Sequence, residues 1–241
     1  MTVALETQGL RKSFGGVLVI DDLSISVDQG EALGIVGPNG AGKTTWFNLI
    51  TGAVNEDAGK VIFEGRDITG LSRHERCRIG LGRTFQIPRP FTGMTVFENV
   101  LVGATHGRKM AARASYAHCV DILEWTGLHK KVNVLAGSLS LLDRKRLELA
   151  RALATDPSLL LLDEIAGGLT QVEVEELIEE IKKLRTRGVT IVWIEHIVHA
   201  LLAVVDRITV IQFGRKLCEG DPHEVMNSQE VQACYMGGTP A

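Results

Sequence analysis

Three short runs carry residue types able to act on a phosphate ester. The first is GPNGAGKTT, residues 37–45. It fits Gly-x-x-x-x-Gly-Lys-Ser/Thr and stands between an apolar run, EALGIVG (31–37), and a helical pattern, KTTWFNLI (43–50), the context this motif requires. Gly37, Gly40 and Gly42 let the backbone approach phosphate oxygens. The loop residues Gly37, Pro38, Asn39, Gly40, Ala41, Gly42, Lys43, Thr44 and Thr45 are the expected phosphate-binding set, their backbone N–H groups and the helix start offering positive potential. Lys43 is expected to reach the β- and γ-phosphates, and the Thr44 hydroxyl to ligate Mg²⁺. The second run is LLLLDE, residues 159–164. An acidic pair ending a strand is by itself only a solvated strand end. Beside a phosphate loop, Asp163 suits the Mg²⁺ shell and Glu164 suits polarisation of an attacking water.

The third run, LSLLDRKRLELARAL (139–153), has a plain structural explanation. Ser140 followed by Asp143 reads as a capping box, with Asp143 reaching back to the first turn. Leu147, Ala150 and Leu153 then form an apolar stripe, leaving Arg144, Lys145 and Arg146 to face water or a phosphate. Thr170 and Glu173 form a second such box.

The elements that must hold these runs alternate between strand and helix. SLLLLDE (158–164) and GVTIVWIE (188–195) are short continuous apolar runs, as expected of strands buried on both faces. Between them Val174, Leu177, Ile178, Ile181 and Leu184 recur at helical spacing. This alternation predicts an α/β fold built on a mainly parallel sheet. The first thirty residues and RITVIQFGRKLCEG (207–220) read as antiparallel strands, and 98–157 reads as helical. The chain of 241 residues is 45% hydrophobic and 23% charged with a formal net charge of −3 and no long basic run, which argues against a nucleic-acid partner. Its four cysteines are widely separated, so neither a zinc site nor a disulfide framework is expected. The N-terminal MTVALETQGL does not read as a signal peptide, and the apolar stretch 189–211 is broken by Glu195, His196, His199, Asp206 and Arg207. Any membrane role is therefore expected to come through a partner.

The phosphate loop and Asp163–Glu164 together specify a P-loop NTPase. Gln86 in GRTFQIPRPF, His196 in IVWIEHIVH and Ser140 narrow the type. In the order loop, glutamine, serine run, Asp-Glu, histidine, the chain resembles the ATP-binding subunit of an ABC transporter from about residue 3 to 236. MTVFENVLVG (94–103), RALATDPSLLLLDE (151–164) and GRKLCEGDPHEV (214–225) resemble that family as well. RTFQ and the terminal VQACYMG look most like the ATPase subunits of branched-chain amino-acid importers.

The resemblance implies an α/β P-loop NTPase of ABC type, with a mainly parallel core sheet, an antiparallel β subdomain and an inserted helical lobe. Residues 1–241 would be a single ATP-binding domain, with 1–97 and 158–241 as RecA-like core and 98–157 as helical subdomain. It implies ATP and Mg²⁺ as cofactors. Phe14 would stack on adenine, Gln86 would sense Mg²⁺ and the attacking water, and His196 would contact the γ-phosphate. Ser140 would open the signature presented to the ATP of a second ATP-binding subunit, identical or related. Transmembrane permease subunits and a substrate-binding protein are the further partners implied, placing the chain peripherally on the cytoplasmic face of a membrane and soluble when isolated. The chain departs from the family's pattern at Leu141 and Leu142, where the signature has glycines, at Ile165 in place of proline, and at Thr170 in place of Asp or Asn. Leu142 is expected to crowd the facing phosphate. The other readings are a lipopolysaccharide- or lipid-transport ATPase, a weakly hydrolysing regulatory subunit, and a DNA-repair ATPase. The last would need a much longer insertion between loop and signature.

Overall fold

The structure, a computed structural model, describes residues 2–107 and 112–236. The N-terminal part runs β1 (Val3–Phe14), β2 (Val17–Asp28), β3 (Ala32–Val36), α1 (Lys43–Ile50), β4 (Ala58–Phe63) and β5 (Arg66–Asp67). The middle holds α2 (Arg73–Arg78), β6 (Leu81–Arg83), α3 (Val96–His106), α4 (Ala112–Trp125), α5 (Leu141–Leu153), β7 (Leu159–Asp163) and α6 (Gln171–Arg185). The chain closes with β8 (Thr190–Ile194), α7 (Val198–Leu202), β9 (Arg207–Gln212), β10 (Arg215–Gly220), α8 (Pro222–Asn227) and α9 (Gln229–Met236). It divides into two compact units, Met1–Arg73 with Thr190–Ala241, and His74–Val189.

In the first unit β3 pairs in parallel with β8 on one side and β9 on the other, and β10 extends β9 antiparallel. Every residue of β3 and of β8 is buried, the burial that the unbroken apolar runs predict for parallel strands. A separate antiparallel sheet has the order β2-β1-β4-β5, with Leu5 opposite Phe63 and Thr7 opposite Val61. Its inner positions alternate with exposed ones along β2. Trp46 and Phe47 of α1 are fully buried, and the Trp46 indole N–H donates to Thr7 Oγ1 at 3.3 Å. The buried polar end of a large aromatic is thereby satisfied.

The second unit pairs β6 with β7 in parallel, Leu81 opposite Leu159. α3 starts at a full capping box, Thr95 with Glu98, and packs closely on α5. A Cβ at Gly103 would stand 2.7 Å from the Arg151 carbonyl, so only glycine permits this approach. In the stretch 98–157 the described residues are mainly helical, with turns and an isolated bridge from Leu135 to Thr95, and 108–111 lie outside them. α6 buries Val174, Leu177, Ile178, Ile181 and Leu184, the positions marked by their spacing. Its Thr170–Glu173 capping box forms with both hydrogen bonds, at 2.8 and 3.4 Å. Among the described residues no helix is long and apolar enough to cross a membrane.

Candidate active site

The phosphate loop is built by the steric demands of its own backbone. β3 ends at Val36, and Gly37 has φ 149°; a Cβ there would lie 2.0 Å from the Ile211 carbonyl oxygen. Gly42, at φ 104°, leads into α1, and a Cβ on it would meet Val19 O at 2.9 Å. Any side chain at these positions would push the loop off β9 or β2. The crown of the loop, Asn39 and Gly40, is exposed, and Gly40 has nothing within 4 Å of where a side chain would be. α1 begins without a side-chain cap and without an acid in its first turn, a helix start whose dipole favours an anion. Lys43 is buried, 5% exposed, and its ammonium donates to the Gly37 and Pro38 carbonyls at 2.7 and 3.0 Å. A cation folded over its own loop, beside an open crown, fits a polyphosphate. Thr44 is exposed and Thr45 half-buried at the start of α1. Ala41 is buried and supplies its carbonyl to the Gly214 N–H at 3.0 Å.

Three more residues of this unit, Tyr235, Phe14 and His196, bear on the candidate site. The Gly37 N–H donates to the Tyr235 hydroxyl at 2.9 Å, so α9 braces the loop at its first glycine. Burial raises the Tyr235 phenol above its ordinary range, which keeps it neutral and able to serve as that acceptor. Phe14 closes β1 at the hairpin and is 46% exposed, not a core phenylalanine. The Lys12 ammonium lies 5.5 Å from its ring centroid and is itself anchored to Asp57 at 2.6 Å. His196 is separated from the end of β8 by Glu195, is exposed, and donates its backbone N–H to Glu195 Oε1 at 3.1 Å.

The second unit presents the carboxylates. Asp163 ends β7 with its side chain 4% exposed, and Arg83 of β6 holds it in an ion pair at 2.7 Å. The Asp163 backbone N–H donates to Thr84 Oγ1 at 3.2 Å. The Arg83 guanidinium also lies 5.1 Å from the Phe85 ring centroid. A buried carboxylate held by a cation is a fitting metal ligand, because the negative charge is already made tolerable in the interior. Glu164 adopts φ 47°, a left-handed conformation that costs a non-glycine residue about 1–2 kcal/mol. The Gln86 amide donates to its carboxylate, so the structure brings these two together from positions 78 apart in the chain. Lys145 donates to the carbonyl of Gln86 at 2.6 Å and lies 3.4 Å from that of Glu164.

The start of α5 corrects several expectations. Ser140 is the N-cap and accepts the Asp143 N–H at 3.3 Å, but its hydroxyl donates to the Asp143 carboxylate at 2.8 Å. Asp143 thus binds the cap's side chain and Lys131, and does not close a capping box. Burial acts upward on the Asp143 carboxyl, yet the hydrogen bonds from Lys131 and Ser140 hold it below the usual carboxylate range. Arg144 is exposed, whereas Lys145 is 3% exposed and Arg146 binds Glu180 and Glu176, both at 2.8 Å. The basic triplet therefore does not face water as a unit. Leu142 is also turned inward, 8% exposed, while Leu141 is 45% exposed and its Cδ2 lies 3.3 Å from where a Cβ on Gly168 would be. Leu141, not Leu142, is the side chain that stands at the surface of the helix start. Leu142→Gly is accordingly expected to destabilise the chain by about 3–5 kcal/mol, cavity and helix costs together. Leu141→Gly should cost only about 1 kcal/mol. Chemical denaturation of both variants checks the ordering, and equal losses would contradict it.

No signal in spacing sets Arg83, Lys145 and Tyr235 apart from surface residues; in RTFQ only the glutamine stands out. The geometry amounts to a phosphate cradle in one unit and a metal-competent aspartate with a paired glutamate and glutamine in the other.

A family model described as ABC transporter matches residues 20–167. The high-affinity branched-chain amino acid transport ATP-binding protein LivG of Salmonella typhimurium is 37% identical, over 97% of this chain and 97% of its own. The lipopolysaccharide export system ATP-binding protein LptB of Acidithiobacillus ferridurans is 36% identical, over 98% of each. A crystal structure of the ADP conformation of an ATP-binding cassette of an ABC transporter superposes with a TM-score of 0.90 at 32% identity, over 98% of this chain and 100% of that one. Fold, phosphate cradle and full-length relatedness agree: this chain belongs to the ABC transporter family, as an ATP-binding subunit that hydrolyses ATP.

Proposed function

We propose that this ATPase powers an importer of branched-chain or related amino acids. The observation that carries the reading is its 37% identity to a branched-chain amino acid transport subunit across nearly the whole of both chains. Lys43 and the loop from Gly37 to Thr45 hold the phosphates, and Phe14 stacks on the adenine. Thr44, Asp163 and Gln86 are the residues that would hold Mg²⁺, and the ion would supply charge neutralisation to the β- and γ-phosphates. Glu164 takes a proton from water as the water oxygen bonds to the γ-phosphorus. The bond from that phosphorus to the bridging oxygen breaks, and ADP and phosphate leave. His196 contacts the γ-phosphate. Residues 1–97 and 158–241 act as the catalytic core and 98–157 as the helical lobe.

The partners proposed are a second ATP-binding subunit, identical or related, two permease subunits and a substrate-binding protein, with this chain on the cytoplasmic face of the membrane. Phe85, Ile87, Phe91 and Met94 support a docking role for their segment, since they are 49%, 68%, 44% and 39% exposed in a single short stretch. Ser140 and the helix start behind it face the partner's ATP. On this reading Ser140→Ala lowers turnover as well as melting temperature, the latter by the loss of a cap worth about 1 kcal/mol. Leu141→Gly raises ATP-dependent dimerisation. Changes confined to melting temperature in both variants would reduce the run to a capped helix.

Uptake of labelled leucine, isoleucine and valine tests the substrate. A strain lacking the gene should lose uptake, and the wild-type gene, not Glu164→Gln, should restore it. The relatedness to a lipopolysaccharide export subunit at 36% identity favours a second reading. Unchanged uptake with lipopolysaccharide retained in the inner membrane would establish that one instead.

A further inference from the structure

The loop after Gln86 contains Pro88 and Pro90, so it lacks two backbone donors and cannot join a sheet. Its remaining polar groups must find partners elsewhere, and they find them on one face of α5. Lys145 donates to the Gln86 carbonyl at 2.6 Å, and Arg151 donates to the Arg89 carbonyl at 2.9 Å. Glu148 lies between them in sequence, 5% exposed, bound to Arg151 at 3.2 Å. Burial holds the Glu148 carboxyl above its ordinary range, an effect that Arg151, the Arg89 N–H, Lys145 and the Phe85 N–H only partly offset. The Arg151 guanidinium also stacks 5.0 Å from the Phe91 ring centroid. At the far end Asn99 of α3, fully buried, accepts the Phe91 N–H at 2.8 Å and donates to the Phe91 carbonyl at 3.1 Å.

Residues three apart on a helix share a face, so Lys145, Glu148 and Arg151 form a ladder along nearly two turns of α5. Two of its three charges are almost wholly buried, an expensive arrangement unless each is hydrogen-bonded. Here the partners are the loop's own backbone groups, not opposite charges alone. A flexible tether would have no use for such costly fixtures. We infer that Lys145, Glu148 and Arg151 are positioning residues that clamp the segment Phe85–Phe91 to the helix beginning at Ser140, so that Gln86 and Glu164 keep their register and the segment moves with α5 as one body. Lys145 is the central rung, because it addresses the Gln86 and Glu164 carbonyls together.

The kinetic part of the test rests on the roles of Gln86 and Glu164 proposed above; the exchange part does not. In the full chain, Lys145→Met should speed amide hydrogen exchange at Gln86, Ile87, Arg89 and Phe91 about tenfold, the scale of one lost hydrogen bond from a charged donor, with α6 unchanged. Its kcat should fall about tenfold while KM for ATP stays within about twofold, because the phosphate cradle lies on other residues. Lys145→Arg should restore both. Exchange in the loop at the wild-type rate overturns the clamp. Faster exchange with unchanged kcat, where Glu164→Gln is inactive, overturns the positioning role. Unchanged kcat in both variants overturns instead the assignment of Glu164. If Lys145→Met does not fold, Arg151→Gln carries the same readouts at the Arg89 end of the ladder.

Discussion

Lys43→Ala is expected to abolish measurable ATP hydrolysis, a fall of about 10³-fold or more, and to weaken nucleotide binding. On the proposed reading the Lys43 ammonium is the loop's cation for the phosphates, and a preorganised charge of that kind contributes most where charge spreads in the transition state. Its present partners, the Gly37 and Pro38 carbonyls at 2.7 and 3.0 Å, lose their donor as well. Stability should therefore drop by about 1–3 kcal/mol. Lys43→Arg separates the two effects. It keeps the charge but not the compact fit inside the loop, and should recover stability better than turnover. The measurement is steady-state phosphate release beside nucleotide affinity. Wild-type turnover in Lys43→Ala would remove the phosphate loop from the mechanism.

Glu164→Gln is expected to bind ATP with little loss and to hydrolyse it about 10²–10⁴-fold more slowly, the range for removal of a general base. The substitution leaves an amide oxygen that can still accept from Gln86, so local structure should survive. ATP should then accumulate uncleaved, and the variant should sediment as a dimer, or a heterodimer with a related subunit, when ATP is present. The isolated wild-type chain without nucleotide should sediment mainly as a monomer. The left-handed backbone at Glu164 supplies a contrasting variant. Glu164→Gly relieves a strained φ of 47° and should raise stability by up to about 1 kcal/mol while abolishing hydrolysis. Such a trade is expected where strain serves the chemistry, and it distinguishes a catalytic residue from a merely structural one. Native turnover in Glu164→Gln would refute the base assignment.

Much of this molecule was legible from neighbouring residues in the chain. The strands β3, β7 and β8 announce themselves because a strand covered on both faces has no reason to carry polar residues, and each reads as an unbroken apolar run. Thr170 and Glu173 specify a helix start because both hydrogen bonds of the box close within four residues. The phosphate loop is legible for the same reason: its glycines, lysine and threonines act within a single turn of chain, so spacing alone defines the geometry. Long-range pairing decided the rest. Asp163 meets Arg83 across 80 positions, Gly37 meets Tyr235 across 198, and Gln86 meets Lys145 across 59. No local pattern distinguishes Arg83, Tyr235 or Lys145 from solvated side chains. Lys145 and Arg146 look like surface charges because a helix pattern counts polarity, not what lies opposite. What lies opposite Lys145 is a proline-interrupted loop whose carbonyls need donors, and that is settled only when the chain has folded. Leu141 and Leu142 show the same limit in miniature. Two adjacent leucines are equal in composition, and only the rotation of α5 against its neighbours turns one into the core and leaves the other at the surface.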